Sequence, residues 1–231
     1  MIIEFAGLPG IGKSTSHAKL LEELHASGRV TATPKEIEVD YLKKRYYPSY
    51  TREAWYEGAV RCLYYLGANL ELSIKELLHR RVTSLLPSRA RASAYWLVKD
   101  KRLAMHFLNS MADSDQTIFY LDEGLLQHSA ALLTWGGLKW LPFVSELASS
   151  RIASQLTVLF IDGDCNTAYE RFCKREYPST WPAGLDANEI QETIRDFKTQ
   201  LEMVLKIWSK AGATVKQIKT DDLLAIADVI A

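Results

Sequence analysis

The sequence contains little cysteine, no net charge and no long uninterrupted apolar run, and each absence excludes a class of protein. Its three cysteines, Cys62, Cys165 and Cys173, are too few and too scattered for a disulfide framework or a C-x-x-C metal site. We interpret them as small buried hydrophobic residues of a cytoplasmic protein. The 28 basic residues balance the 28 acidic ones, so no global field attracts nucleic acid or an anionic membrane. Free nucleic acid is therefore disfavoured as a partner without being excluded.

The most apolar stretch, residues 124–144, does not predict a membrane span. Polar side chains at positions 127–129 and at Lys139 interrupt it, and a Gly-Gly pair at 136–137 breaks it in the middle. A spanning helix needs about 20 predominantly apolar residues. We therefore predict two buried or half-buried helices on either side of a turn, and no membrane partner is expected.

What the sequence does contain is a complete G-x-x-x-x-G-K-[ST] motif, GLPGIGKS, from Gly7 to Ser14. It follows an apolar run that predicts a strand and precedes a segment with helical spacing, which is the context that this motif requires. In such a motif, backbone N–H groups bind a di- or triphosphate, Lys13 reaches the β- and γ-phosphates, and Ser14 offers its hydroxyl to Mg²⁺. We call residues 7–15 the phosphate loop.

Strand-like runs alternate with helical patterns along the chain. The predicted strands cover residues 1–6, 116–121, 156–161 and 213–218, with a weaker candidate at 30–32. Connections long enough to hold helices indicate a parallel sheet that is covered on both faces, because parallel strands need crossover helices. The sequence therefore predicts an α/β fold with three layers.

A long helical segment separates the second predicted strand from the third. Apolar residues recur at spacings of four and three from Trp55 to Leu77, which predicts a packed helix. A second helix is predicted over residues 92–111, after a basic, proline-containing link at 87–91. We predict that residues 33–115 form a helical insertion beside the phosphate end of the sheet, within a single domain that spans residues 1–231.

The helix before the last predicted strand has the clearest boundaries in the sequence. Asp186 with Glu189 predicts a capping box at its beginning, and Gly212 is expected to end it. Between these positions an apolar stripe from Ile190 to Trp208 predicts one continuous helix.

Two carboxylates, Asp122 and Glu123, follow directly on the predicted strand QTIFYL. The carboxyl ends of parallel strands form the ligand-binding edge of an α/β sheet. A carboxylate at this edge can hold Mg²⁺ beside Ser14, and it can orient or deprotonate an attacking hydroxyl. The alternative is a solvated strand-end turn, since DEG also favours turns.

A basic cluster follows the predicted strand at 156–161. Arg171 and Arg175 lie four residues apart in AYERFCKREYP and would project from one face of a helix. Cations on such a segment can close over phosphates and stabilise charge in a transition state. The alternative is a solvated helix end whose arginines pair weakly with neighbouring glutamates.

These motifs, in this order along nearly the whole chain, resemble the thymidylate kinase and deoxynucleoside kinase group of P-loop kinases. The resemblance adds an acidic loop, Thr220 to Asp222, after the last predicted strand. It implies a P-loop NTPase fold with five parallel strands, a helical insertion and a lid at residues 165–187. It also implies that ATP and Mg²⁺ are the cofactors and that Asp122 and Ser14 lie at the metal. The residues that would bind ATP are Gly7, Leu8, Pro9, Gly10, Ile11, Gly12, Lys13, Ser14 and Thr15.

The acceptor is left open by the sequence. At the strand end the chain has Asp122-Glu123-Gly124, where the family carries an arginine. The sequence contains three kinds of candidate acceptor-binding residue. Carboxylates could serve as a general base, arginines could bind an acceptor phosphate, and aromatic rings could stack on a base or sugar. The additional carboxylates are Glu36, Glu38 and Asp40, which equally suit a solvated acidic turn; the arginines are Arg52, Arg61, Arg80, Arg89 and Arg91; the aromatic residues are Tyr46, Tyr47, Tyr50, Trp55 and Tyr56.

The resemblance implies an ATP-dependent phosphotransferase in which Lys13, Asp122, Glu123, Arg171 and Arg175 are catalytic. Its acceptor would be a nucleoside, a nucleotide or a related small molecule, and a homodimer is compatible with the sequence. The alternatives are a kinase that acts on nucleotides in DNA or on a sugar or antibiotic hydroxyl, a nucleotide-hydrolysing switch, and a non-catalytic nucleotide-binding module. The chain lacks the N-K-x-D signature of guanine-specific switches and the LSGGQ signature of ABC-type ATPases.

Overall fold

The computed structural model describes residues 1–46, 88–110, 117–174 and 185–218, and these form an α/β fold around a parallel sheet. Its five strands are β1 (Ile2–Gly7), β2 (Val30–Ala32), β3 (Thr117–Leu121), β4 (Leu156–Ile161) and β5 (Thr214–Ile218), in the spatial order β2-β3-β1-β4-β5. All four neighbouring pairs are parallel. The predicted strands are confirmed, and their bounds agree within one residue.

Strand β1 lies at the centre of the sheet and carries the phosphate loop at its carboxyl end. Ile2 pairs with Phe119 of β3 on one side and with Leu156 of β4 on the other. Every residue of β1 is buried, which explains why the run IIEFAG is almost entirely apolar. The loop therefore begins from the most enclosed strand of the sheet.

Seven helices are described along the four ranges. They are α1 (Lys13–Ala26), α2 (Pro34–Tyr46), α3 (Ser88–Ser110), α4 (Leu125–Gly136), α5 (Leu141–Ala148), α6 (Cys165–Cys173) and α7 (Ala187–Lys210), with short 3₁₀ turns at Leu138–Trp140 and Ala153–Gln155. Helix α1 packs on β1 and β2, whereas α4 packs mainly on α3 and α7. Right-handed crossovers place α1 on the face of the sheet opposite to the connections that lead to β4 and β5.

Two helix beginnings differ from the prediction. The acidic segment after β2 is helical rather than a turn, because Thr33 and Glu36 form a reciprocal capping box: Glu36 N donates to Thr33 Oγ1 at 3.1 Å and Thr33 N donates to Glu36 Oε2 at 2.7 Å. The predicted link at 87–91 is also wrong from Ser88 onward, since α3 begins there.

Two other helix boundaries follow the sequence closely. The capping box of α7 is present, with Glu189 N donating to Asp186 Oδ1 at 2.9 Å and Asp186 N donating to Glu189 Oε2 at 2.8 Å. The apolar stretch at 124–144 is divided between α4 and α5, and Gly137 at the break has φ 83°. No helix in the described ranges combines the length and the apolarity that a membrane span requires.

Several predicted features lie outside the described residues. These are the helix from Trp55 to Leu77, the aromatic residues Tyr47, Tyr50 and Tyr56, the arginines Arg52, Arg61 and Arg80, residues 175–184 of the lid including Arg175, Cys62, and the acidic loop from Thr220 to Asp222.

Candidate active site

The phosphate loop curves between β1 and α1 with two glycines in the left-handed region. Gly10 has φ 79° and Gly12 has φ 107°, conformations that other L-residues rarely adopt. A Cβ atom on Gly10 would lie 2.9 Å from the carbonyl oxygen of Ala168 on α6. Leu8 and Ile11 are buried in the core, whereas Pro9, Gly10 and Gly12 line a cavity. The first N–H groups of α1 have no intrahelical acceptor and lie at the same cavity, which suits an anion.

Lys13 lies inside this loop. Its Nζ donates to the carbonyl oxygens of Gly7 and Leu8, each at 3.1 Å, and lies 3.9 Å from Glu123 Oε1. The Lys13 side chain is only 6% exposed, whereas that of Glu123 is 57% exposed. A buried ammonium held by two carbonyls and one carboxylate is positioned to exchange these oxygens for those of a phosphate.

Asp122 and Glu123 occupy different environments at the end of β3. Glu123 faces the cavity, and among the described residues that line the cavity it is the one carboxylate. Asp122 is half-buried, and its Oδ1 is buried without a hydrogen-bond partner in the described structure. Burial lowers the pKa of His17, on the second turn of α1, although the nearby charge of Asp122 opposes this shift. Asp122 therefore faces towards α1, and Glu123 faces the open space.

Arg171 meets the phosphate loop from α6. Its Nη1 donates to the carbonyl oxygen of Ile11 at 3.3 Å, and its side chain lines the cavity. Helix α6 is held at its beginning by Asp164, whose carboxylate accepts from Thr167 N at 2.9 Å. The structure thus brings Lys13, Glu123 and Arg171 to one cavity.

The cavity has a volume of about 560 Å³ and extends from the phosphate loop between α3 and α4. This volume is within the range of small-molecule sites. Each helix contributes one face, and of the residues on these faces only Arg89 was a candidate from the sequence, as an arginine that could bind an acceptor phosphate. Helix α3 contributes Arg89, Ala92, Ser93 and Trp96, and α4 contributes Gln127, His128, Ala131 and Trp135. We call these eight residues the α3–α4 wall.

Aromatic and cationic side chains of the α3–α4 wall are packed against each other. The guanidinium carbon of Arg89 lies 4.8 Å from the centre of the Trp135 ring, in the range of a cation–π contact. Trp96 stacks on His128 with 6.3 Å between the ring centroids. The wall therefore offers flat apolar surfaces together with a fixed positive charge.

Two buried carboxyl groups and the half-buried His128 lie at this wall, and all three are held towards their neutral forms. Burial lowers the pKa of His128 to about 4, against the opposing effect of Glu123. Burial, reinforced by Glu4, raises the pKa of Asp100 well above its usual value, and Asp100 Oδ2 lies 3.4 Å from His128 Nε2. Burial also raises the pKa of Glu4 to about 8, although four backbone N–H groups favour its charged form. His128 is therefore uncharged at neutral pH.

The protonated Glu4 makes stability depend on pH. Its folded-state pKa of about 8 exceeds the ordinary value of 4.5. Between these values the unfolded chain has lost the proton that the folded protein keeps, so the free energy of unfolding falls as pH rises. Each pKa unit corresponds to about 1.4 kcal/mol. Between pH 5 and pH 8 we expect the free energy of unfolding, measured by urea denaturation, to fall in the parent protein. In the Glu4→Gln variant it should fall by several kcal/mol less over the same range.

The matched control for this measurement is Glu202→Gln, because Glu202 is exposed on α7. It should retain the pH dependence of the parent protein. Equal slopes for the Glu4→Gln variant and the parent would show that Glu4 is ionised in the folded protein throughout this range.

Glu38 and Asp40, two of the carboxylates that the sequence offered as general bases, lie outside the cavity. Glu38 Oε2 lies 2.8 Å from Lys99 Nζ, and Asp40 Oδ2 lies 2.8 Å from His106 Nε2. Both pairs join α2 to α3, and neither carboxylate lines the cavity. In the described structure, these two carboxylates therefore form charged side-chain pairs that join the two helices.

Comparison with known proteins supports the fold. No protein-family model matches the chain, and no curated protein matches it. Deoxyadenosine kinase from M. mycoides with the products dCMP and a flexible dCDP bound has a TM-score of 0.50 and 14% identity, covering 100% of this chain and 96% of that chain. The same kinase with bound dATP has a TM-score of 0.49 and 14% identity, covering 100% and 97%. Shikimate kinase from Acinetobacter baumannii in complex with shikimate has a TM-score of 0.41 and 13% identity, covering 99% and 89%.

At such low identity the likeness concerns the fold and not the activity. The five-stranded parallel sheet in the order 2-3-1-4-5, with a phosphate loop after the central strand, agrees with it. The chain has the P-loop kinase fold.

Proposed function

We propose that the protein is an ATP-dependent phosphotransferase that acts on a small molecule. The observation that carries this proposal is the single continuous cavity, in which the phosphate loop with Lys13 and Ser14 meets the α3–α4 wall. A donor phosphate and an acceptor would both fit within reach of Glu123. The proposed unit is the single domain at 1–231, with its insertion at 33–115 and its lid at 165–187.

The donor end of the cavity would fit a nucleoside triphosphate. Backbone N–H groups of the phosphate loop, the Lys13 ammonium and the Arg171 guanidinium supply positive charge on three sides. Phosphoryl transfer depends chiefly on positioning and on electrostatic stabilisation, so these groups can supply most of the catalysis. Arg175 would join them from the lid.

The residues present also fit Mg²⁺. The hydroxyl of Ser14 and the carboxylate of Asp122 are hard oxygen donors of the type that this ion prefers. The buried, unpartnered Oδ1 of Asp122 is an acceptor whose burial is costly unless it gains a partner. Ser14 and Asp122 would hold the ion, which when bound neutralises phosphate charge.

Glu123 is the carboxylate best placed to act on the acceptor. It is exposed to the cavity and lies 3.9 Å from Lys13 Nζ. A hydroxyl acceptor must lose its proton as it attacks, and a carboxylate within hydrogen-bond reach can accept that proton. Glu123 would orient this hydroxyl and take its proton, whereas Asp122 would serve the metal.

The α3–α4 wall is the proposed acceptor site. Along α4, Trp135 lies eight residues beyond Gln127, which corresponds to about 12 Å at 1.5 Å per residue. Arg89 is therefore far from the carbonyl oxygens that hold Lys13, and its charge can bind an anionic group of the acceptor. Trp96 and Trp135 can pack against a flat or apolar portion of the same molecule.

This role of Arg89 is testable once an anionic acceptor is found. We expect Arg89→Gln to lower kcat/KM for that acceptor by about 10-fold or more, because a charge-assisted hydrogen bond is lost. The effect should fall mainly on KM, and neutral acceptors should be affected less. The control is Arg195→Gln, at an exposed position on α7; equal activity of the two variants would exclude Arg89 from acceptor binding.

The proposed function is tested directly by phosphorus NMR. Purified protein with Mg²⁺-ATP is incubated with nucleosides, nucleotides, sugars and hydroxy acids, and a new phosphoester or phosphoanhydride resonance is sought. A resonance that depends on the protein and disappears in Lys13→Ala supports the proposal. Release of inorganic phosphate alone, without any transfer, would identify a hydrolase and overturn it.

A further inference from the structure

The side chain of Gln127 binds both polar groups of one residue in the phosphate loop. Gln127 Oε1 accepts from Gly7 N at 3.3 Å, and Gln127 Nε2 donates to the carbonyl oxygen of Gly7 at 3.1 Å. The amide is buried, and 120 residues separate it from Gly7 in sequence. Such paired contacts fix the orientation of the peptide groups from which the loop begins.

The carbonyl oxygen of Gly7 is shared between two donors. Lys13 Nζ donates to it at 3.1 Å, the same distance as Gln127 Nε2. When the ammonium turns towards a phosphate, a buried carbonyl would lose its donor, and an unsatisfied buried acceptor is costly. Gln127 removes that cost at Gly7, because its own hydrogen bond remains.

Gln127 is itself held in place by the buried Glu4. Oε1 of Glu4 accepts from Leu126 N at 2.8 Å and from Gln127 N at 3.0 Å. Glu4 thus satisfies N–H groups in the first turn of α4 that have no intrahelical acceptor. The close approach of this turn depends on Gly124, where a Cβ atom would lie 3.0 Å from Glu4 Cδ and 2.8 Å from Leu121 Cβ.

We propose that Gln127 is a positioning residue for phosphate binding, acting through Gly7. It keeps the beginning of the loop fixed and its carbonyl satisfied while Lys13 moves between carbonyl oxygens and phosphate. Because Gln127 and the acceptor-facing His128 are neighbours on α4, the same contact aligns the phosphate loop with the α3–α4 wall. This inference rests on the nucleotide binding that the proposed function requires.

The experiment measures ATP affinity by calorimetry for the parent protein and three variants. Gln127→Leu removes both contacts to Gly7, Gln127→Glu keeps an acceptor but loses the donor at neutral pH, and Ser129→Ala is the control. Ser129 is buried on the same helix, and its hydroxyl has no partner in the described structure. Thermal melts without nucleotide confirm that each variant is folded.

We expect Gln127→Leu to raise the Kd for ATP by about 10-fold, as the loss of a buried hydrogen bond implies, while Ser129→Ala leaves it within about 2-fold. Gln127→Glu should bind ATP poorly at pH 8, because a carboxylate repels the Gly7 carbonyl and attracts Lys13. Towards pH 6 its buried carboxyl gains a proton and becomes a donor again. The ratio of its Kd to that of the parent protein should therefore decrease as the pH falls.

This rescue by acid separates positioning from a general loss of packing, since a packing defect would not depend on protonation at this site. If Gln127→Leu binds ATP as the parent does, or if the Gln127→Glu ratio is constant with pH, the inference is wrong. If the parent protein itself does not bind ATP, the proposed function fails instead. Should the leucine variant not fold, the pH series of the glutamate variant decides.

Discussion

The Lys13→Ala protein is expected to transfer phosphate about 10³-fold more slowly than the parent, with the loss mainly in kcat. Removing one positioned donor from a water-excluded site costs about 10²- to 10³-fold, and a full positive charge belongs at the upper end of that range. The Lys13 side chain is only 6% exposed, and its ammonium lies 3.9 Å from Glu123 Oε1, between the proposed donor and acceptor ends of the cavity. Initial rates with saturating Mg²⁺-ATP give the comparison.

A matched control for this variant lies on the same helix. Lys19 is exposed on α1, so Lys19→Ala changes the net charge equally without touching the cavity and should retain the parent's rate. The Lys13→Ala substitution also removes the hydrogen bonds that the ammonium donates to the carbonyl oxygens of Gly7 and Leu8. Thermal melts must therefore show that the variant is folded. A folded Lys13→Ala protein with the parent's kcat would exclude the proposed donor site.

The second large effect is expected at the two strand-end carboxylates, which should respond differently. Glu123→Gln is expected to lower kcat for a hydroxyl acceptor by about 10²-fold or more, because the amide cannot accept the proton. Asp122→Asn should instead raise the Mg²⁺ concentration needed for half-maximal rate, because an amide oxygen is a neutral ligand. The rate measured across a Mg²⁺ titration distinguishes these responses.

Glu146→Gln is the control for both carboxylate variants, because Glu146 is exposed on α5. It should match the parent protein in rate and in Mg²⁺ requirement. If Asp122→Asn removes catalysis at saturating Mg²⁺ while Glu123→Gln changes only the metal requirement, the two roles are reversed.

The strands and the phosphate loop could be predicted because their signals are local. The motif GLPGIGKS requires particular residues within eight consecutive positions, and the buried strands are continuous apolar runs. The sequence signal for the beginning of α2 is equally local, but the prediction missed it. Thr33 and Glu36 have the capping-box spacing, whereas the acidic composition of the segment favoured a turn.

The hydrogen bonds between Gln127 and Gly7, at the beginning of the phosphate loop, could not be predicted in the same way. Gln127 and Gly7 are 120 residues apart, and nothing near either residue indicates the other. The available signal was indirect: Glu4 is the charged residue within the apolar strand IIEFAG, and Gln127 lies in an apolar helix. A polar residue in a buried element needs a partner, which identifies both as candidates without naming the partner.

The sequence predicted that Arg89 lies in the link at 87–91. Whether its side chain lines the cavity depends on the residue at which α3 begins. Once the helix starts at Ser88, Arg89 shares a face with Ser93 and Trp96 at helical spacings of four and seven. The surroundings of Pro87 gave no reason to extend the helix so far. A difference of one turn in a helix boundary therefore decided whether a cation belonged to the cavity.

The α3–α4 wall has a methyl group at the middle of each side. Ala92 lies between Arg89 and Trp96 on α3, and Ala131 lies between His128 and Trp135 on α4. Neither alanine touches the phosphate loop through a polar group, so a bulkier residue at either position would narrow the gap between the helices without altering the chemistry of transfer. If the wall binds the acceptor as proposed, these two small side chains limit the width of the molecule that fits there. Under the proposed function, substitutions at these two positions would change which acceptor fits and leave the phosphate loop intact.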